Sequence, residues 1–246
     1  MVKLNTRRMS VWVGCNYRDI LRREFQSVLK VLEKLDMESE VVGEELCCGF
    51  PFYLAGCFEK AKDIGREVLD SLKGRGTLVT ACPACLRGFR EAYPKMGLRP
   101  SFEALHITEL LDRVLSERGY EFKPLQASVM YHDPCELGRH MGVYEEPRRI
   151  LSRIPGVRLV EPRFSRERSV CCGGGGLLTM FAPFLPPQVA VRKLLQEDEV
   201  AGRVDILVTA CPQCVSNLRS GVEGWAGGEL RGLRVLDFCQ LLEEVL

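Results

Sequence analysis

A set of five cysteines is written twice along this chain of 246 residues, and the doubling accounts for ten of its twelve cysteines. The first set is Cys15, the Cys47-Cys48-Gly49 triplet and Cys82-Pro83-Ala84-Cys85. The second is Cys135, Cys171-Cys172-Gly173 and Cys211-Pro212-Gln213-Cys214. The repetition extends past the cysteines, because Leu78-Val79-Thr80-Ala81-Cys82-Pro83 returns letter for letter as Leu207-Val208-Thr209-Ala210-Cys211-Pro212. Further on, His106-Ile107-Thr108-Glu109-Leu110-Leu111-Asp112 is matched by Asp237-Phe238-Cys239-Gln240-Leu241-Leu242-Glu243. Such self-similarity describes a duplicated module of roughly 120 residues. Two domains are therefore expected, residues 1–120 and 121–246, joined near Arg118 to Ala127. In the same register Cys239 falls opposite Thr108 and Cys57 opposite Phe181. Having no counterparts, these two are expected to be buried, inert thiols acting as small hydrophobes rather than ligands.

A chain of this length buries about 70–75% of its extended surface on folding and needs no covalent staples. Adjacent cysteines at two equivalent positions also make poor crosslinking geometry. With 34 basic and 33 acidic residues, the net charge of +1 offers no electrostatic footprint for nucleic acid or an anionic membrane. The segment from Met1 to Ser10 leads into Val11-Trp12-Val13 without an apolar signal region, so the expected location is the reducing cytoplasm. From Ser169 to Val191 there are 23 residues without a formal charge. A membrane-spanning helix needs about 20 apolar residues, but four consecutive glycines with Pro183, Pro186 and Pro187 prevent a continuous helix here. Two readings of the stretch stay open. It is a buried loop beside the cysteines, or Leu177, Leu178, Met180, Phe181 and Phe184 line a substrate cavity or a contact between subunits.

In the first module, apolar strands are expected at Ser10 to Gly14, near Glu40, at Leu78 to Ala81 and near Ala104. Helices are expected at about Arg18 to Leu35, at Glu59 to Leu72, from Cys82 onward and through Val114. The second module repeats the order, with strands at Ser128 to His132, Val157 to Val160 and Ile206 to Thr209, and helices at Pro147 to Ile154 and Gln188 to Glu197. Strands alternating with amphipathic helices predict parallel sheets covered by helices. The fold class is α/β: two pseudo-symmetric Rossmann-like lobes from an internal duplication, with metal clusters between them. In such sheets ligands sit beyond the carboxyl ends of the strands, where Cys15, Cys82, Cys135 and Cys211 fall.

Soft thiolates gathered in two equivalent fives point to two metal centres of iron–sulfur type. In Cys-Pro-x-Cys, proline favours the first helical position, which puts Cys82 at the cap and Cys85 on the same face one turn later. Backbone N–H groups of that turn can bond thiolate or sulfide. Gly49 and the run Gly173 to Gly176 would let further backbone donors approach; an ordinary flexible loop is the plainer account of the run. Five is one more than cubane clusters or structural zinc ordinarily take, so two Cys₄ zinc sites, each with a spare thiol, remain as a rival, and a disulfide framework as another. The tight ferredoxin-type cysteine run is missing. So are Gly-Lys phosphate loops, His-Glu-x-x-His, Gly-x-Ser-x-Gly and a Gly-x-Gly-x-x-Gly opening the first helix. Two of the three histidines, His132 and His140, flank Cys135. His132 is either a proton donor behind the ligands or a histidine paired with Asp133 or a carbonyl. Arg139, Arg163, Arg166 and Arg168 are either anion-binding groups or solvated surface.

The double Cys-Cys-Gly pattern resembles the catalytic polypeptide of heterodisulfide reductase, either its B-type subunit or the homologous part of its D-type subunit. The segment Tyr131-His132-Asp133-Pro134-Cys135-Glu136-Leu137-Gly138-Arg139-His140 and the run Cys171 to Gly176 are also similar to iron–sulfur subunits of lactate-utilisation and glycerol-3-phosphate dehydrogenases. The resemblance implies two noncubane [4Fe–4S] clusters, with a disulfide cleaved reductively between them. Carried over by position, Cys15, Cys47, Cys48, Cys82 and Cys85 hold one cluster, and Cys135, Cys171, Cys172, Cys211 and Cys214 the other. It also implies a disulfide or thiol substrate, electrons from a ferredoxin-like C-type subunit and a flavin-bearing A-type subunit, and a direction that can run oxidatively in sulfur-oxidising relatives. This chain is shorter than typical B-type proteins, which leaves the substrate-shaping loops open. The alternative is a non-catalytic electron-transfer subunit of a lactate, glycerol-3-phosphate or succinate type dehydrogenase, passing electrons to a partner or quinone.

Overall fold

The computed structural model describes residues 9–200, 202–224 and 228–246. The stretch that carries the expectation about a signal region, residues 1–8, lies outside them. The chain divides into two compact units, one ending at Leu110 and one spanning Leu111–Leu246.

In the first unit, strands β1 (Met9–Trp12), β2 (Ser39–Val42), β3 (Thr77–Thr80) and β4 (Glu103–His106) form one parallel sheet in the order β2-β1-β3-β4. The central strands are buried along their length apart from half-buried Thr77, as strands inside a covered parallel sheet are. The expected helix from Arg18 is two helices, α1 (Cys15–Asp19) and α2 (Arg22–Lys34). Leu21 breaks them apart by leaving the helical region, at φ −116° and ψ 53°. A short helix α3 (Phe50–Leu54) and α4 (Phe58–Ser71) follow the Cys-Cys-Gly loop. Next come α5 (Pro83–Arg87), a wide π turn over Gly88–Ala92, α6 (Tyr93–Lys95) and, after β4, helix α7 (Ile107–Arg118), inside which the division falls. Trp12 is fully buried, edge-on to Phe89 at 5.4 Å, and Phe89 in turn meets Tyr93 and Phe102. Each such aromatic contributes about 1.5–3 kcal/mol by burial.

The second unit repeats the plan. Strands β5 (Ala127–His132), β6 (Val157–Val160), β7 (Ile206–Thr209) and β8 (Arg234–Asp237) run parallel in the order β6-β5-β7-β8. Their helices are α8 (Glu145–Leu151), α9 (Leu178–Phe181), α10 (Leu185–Arg192), α11 (Pro212–Gly224) and α12 (Phe238–Val245). Helix α8 starts and stops earlier than expected. Helix α10 begins ahead of Gln188 because Pro186 and Pro187 suit a first turn, and it ends in a π turn over Lys193–Glu197. Two similar α/β lobes, each with a four-stranded parallel sheet, are thus the architecture.

Within each sheet the chain changes direction between the two central strands, β1 with β3 and β5 with β7. Ligand sites of open parallel sheets form at that switch, past the strand carboxyl ends.

Candidate metal centres

The cysteines gather at these switch points. In the first lobe Gly14, with φ 72°, turns the chain out of β1 so that Cys15 opens α1. Cys82 caps α5 in an extended conformation, its N–H donating to Thr80 Oγ1 at 3.2 Å, with Pro83 at the first position and Cys85 one turn on. Cys47 and Cys48 arrive from the loop before α3, where Gly49 adopts φ 72°. The glycine N–H turns back onto Cys47 Sγ at 3.4 Å. In the second lobe Gly173 N–H reaches Cys171 Sγ and Gly174 N–H reaches Cys172 Sγ, both at 3.4 Å. The glycine run is therefore a built turn: a Cβ on Gly173 would lie 2.7 Å from Val189, and one on Gly174 2.7 Å from Asn217.

All ten thiols are free of disulfides, and each five forms one chain of sulfur contacts in the same order. Cys15 bonds Cys47, Cys47 bonds Cys48, Cys48 bonds Cys85 and Cys85 bonds Cys82. Cys135, Cys171, Cys172, Cys214 and Cys211 repeat the sequence, with Cys172 and Cys214 sulfurs 3.2 Å apart. Cys48, Cys82 and Cys85 are buried while Cys15 and Cys47 are half-exposed, and the second set is graded identically. Each set therefore has a closed floor and an open rim.

The electrostatics say what such a group can hold. Hydrogen bonds from Cys15, from Cys48 and from the Gly49 N–H hold the Cys47 thiolate down at about 2. Cys135, Cys172 and the Gly173 N–H do the same for Cys171, also at about 2. Cys15, Cys48, Cys85, Cys135, Cys172 and Cys214 are all pushed up, first by bonding to the neighbouring sulfur and further by burial. In each set, then, one rim thiol is favoured as thiolate while three of its neighbours are held toward the protonated form. A multiply charged metal group is what would let all five ionise, so the donor sets fit such a group.

His132 sits beside the second set, buried, with its ligand atom, Cys172 Sγ and Cys214 Sγ all within 4.8 Å of one another. Burial pushes its imidazole well below the ordinary value, and Lys193 pushes the same way. It does not pair with Asp133. That carboxylate is taken by Arg148, whose Nη1 and Nη2 donate at 2.6 and 2.8 Å, and by the Arg166 N–H at 2.8 Å. His140 is exposed. Three of the four arginines lie at the exposed surface, where Arg139 donates to the Ser169 carbonyl, Arg163 stands 3.8 Å from Glu199 and Arg168 lies over Phe164, and half-buried Arg166 meets Glu145.

Two expectations need correction. Cys239 is buried, but Cys57 is exposed at the N-cap of α4. The uncharged stretch is no buried loop either: Met180, Phe181 and Phe184 are 72%, 80% and 65% exposed. Sequence reasoning also missed the groups that brace the doublets. Tyr93 Oη donates to the Cys48 carbonyl at 3.0 Å, and Asn217 Nδ2 donates to the Cys172 carbonyl at 2.7 Å and the Pro186 carbonyl at 2.9 Å. Neither residue lies in a repeated motif, so only contact geometry reveals the shared task.

Paired parallel-sheet lobes with a five-sulfur cradle at each switch point define a duplicated cysteine-rich protein. The family model described as a cysteine-rich domain, CCG, matches residues 9–90 and again 129–219, and the chain belongs to that family. It is 37% identical over 200 residues to the D-type subunit of dihydromethanophenazine:CoB–CoM heterodisulfide reductase from Methanosarcina acetivorans, covering 78% of this chain and 48% of that protein. With the Methanosarcina barkeri D-type subunit it shares 36% identity over 225 residues, 88% of this chain and 54% of the relative. The B-type subunit of a fumarate reductase (CoM/CoB) from Methanothermobacter marburgensis is 28% identical over 95% of this chain and 46% of its own length. The chain thus spans about half the length of these curated relatives.

Proposed function

We propose that the chain is the cluster-bearing part of a heterodisulfide reductase-like oxidoreductase, with each five-cysteine set holding one noncubane [4Fe–4S] cluster. The observation that carries this reading is the identical order of sulfur contacts in the two lobes, each with a buried floor and an open rim. Cys15, Cys47, Cys48, Cys82 and Cys85 would ligate one cluster, and Cys135, Cys171, Cys172, Cys211 and Cys214 the other. When bound, two such clusters supply two electrons, one apiece, for reducing a disulfide with two protons to two thiols or for the reverse.

The protein's own contribution is positional. Backbone N–H groups of Gly49, Gly173 and Gly174 hold sulfur, Tyr93 and Asn217 fix the doublet carbonyls, and the half-exposed rim cysteines leave approach from solvent. His132, buried within reach of the Cys172 and Cys214 sulfurs, is assigned to the proton side of the reaction at the second set. Partners of the ferredoxin-like C type and the flavin-bearing A type would bring the electrons, a reading supported by the similarity to subunits of reductase complexes. Among the described residues no helix is long and apolar enough to cross a membrane.

Similarity to a fumarate reductase polypeptide over 95% of the chain favours one second reading, an electron-transfer module without disulfide chemistry. Anaerobic electron paramagnetic resonance with candidate disulfides separates the two. A new paramagnetic species on adding a disulfide supports catalysis at the clusters. Spectra indifferent to every disulfide, with electrons still passed to an acceptor, support the relay.

A further inference from the structure

Two side chains at matching places in the lobes carry ring nitrogens with no hydrogen-bond partner among the described residues. Trp12 closes β1 and pairs with Thr80 across the sheet; His132 closes β5 and pairs with Thr209 in the same register. They are 0% and 1% exposed, yet Trp12 Nε1 and both His132 ring nitrogens have no hydrogen-bond partner. A buried donor left unmade costs about 1–3 kcal/mol, and two at equivalent positions of one scaffold call for a common cause. Their surroundings supply it. The benzo edge of Trp12 packs over Gly43, where a Cβ would lie 2.4–2.8 Å from the ring. The opposite edge, Cδ1 next to Nε1, lines the same spot beside Gly14 as Cys85 Sγ and the Cβ of Cys82. The His132 ring reaches Cys172 and Cys214 in the other lobe.

We propose that Trp12 Nε1 and one ring nitrogen of His132 are matched N–H donors to the sulfur of the iron–sulfur centre in their own lobe. The proposal rests on cluster binding by the two cysteine sets. Both are positioning residues. A hydrogen bond to cluster sulfur favours the reduced, more negative form, so each ring raises the potential of its own centre. An imidazole carries at least one N–H in either protonation state, as an indole does, so the same task suits both rings.

The test begins with full-length protein shown by iron and sulfide analysis to be loaded. ¹⁵N-labelled tryptophan or histidine is introduced, and the reduced protein is measured by pulsed electron paramagnetic resonance. A weakly coupled nitrogen is expected from each label. It should vanish in Trp12→Phe and His132→Phe respectively, which assigns it within two tryptophans and three histidines. Each variant should also shift the redox equilibrium of its own centre alone by about tenfold, or about 59 mV for one electron. Loaded protein with no nitrogen coupling, or variants with unmoved potentials, would overturn the proposal. So would a strong histidine coupling, which means iron ligation in place of donation. If a variant fails to load, the labelled native protein still decides. Protein that takes up no iron at all defeats the underlying cluster reading instead.

Discussion

Single residues set how tightly the sulfurs are held. Gly173 combines φ 86° with a Cβ position 2.7 Å from Val189, so Gly173→Ala should be destabilising by about 1–3 kcal/mol. Gly176, at φ 63° in open space, should tolerate alanine at about 1 kcal/mol; thermal unfolding of the two variants compares them. Arg148 is 4% exposed and grips the 3% exposed Asp133 through two nitrogens. Arg148→Met would strand that carboxylate and should cost about 3–5 kcal/mol in denaturant unfolding. Acid sensitivity has a local source in Glu91, held near 2 against an ordinary 4.5 by Arg87 and by Lys95. A carboxylate depressed on folding stabilises above its unfolded value and loses that contribution as pH falls. Glu91→Gln should therefore flatten the decline in stability between about pH 4.5 and 2, followed by circular dichroism. An unchanged acid limb would show that the contacts of Glu91 with Arg87 and Lys95 contribute nothing.

Elements explain what a sequence can and cannot disclose here. The strand at Ile206–Thr209 stands where its apolar run and flanking turn residues put it, since a strand buried on both faces has few other compositions; Val157–Val160, a half-exposed edge strand, also stands where expected. Cys82 at the cap and Pro83 at the first turn of α5 follow from the same local rules. The break between α1 and α2 was not legible, because Ile20 and Leu21 are ordinary helix residues and only their tertiary setting bends the chain. Exposure of Cys57 was equally hidden, being decided by which side of α4 meets solvent. Trp12 reads as a plain core residue until its register partner proves to match that of His132. Asn217 ties α11 to the Cys172 carbonyl and to the start of α10, so Asn217→Ala should loosen both. A cost of about 1–3 kcal/mol is expected in unfolding experiments, with faster amide exchange around the glycine run.

At the scale of the whole molecule, the duplicated α/β plan gathers five sulfurs at the strand ends of each lobe, where crowding and burial push most of the thiols up, an arrangement with an evident cost unless metal occupies it. Binding energy of such a group is also folding energy. Chelation should therefore lower the melting temperature and release amide protection around Cys47 and Cys171, read by hydrogen exchange; native-like protection in fully demetallated protein would break that linkage. The most direct test of the central claim is anaerobic analysis of iron, inorganic sulfide and zinc in purified full-length chain. Two [4Fe–4S] clusters predict about eight iron atoms with matching sulfide, falling by about half when Cys47 and Cys48 are replaced by serine. Stoichiometric zinc with fewer than about two iron atoms per chain would contradict it.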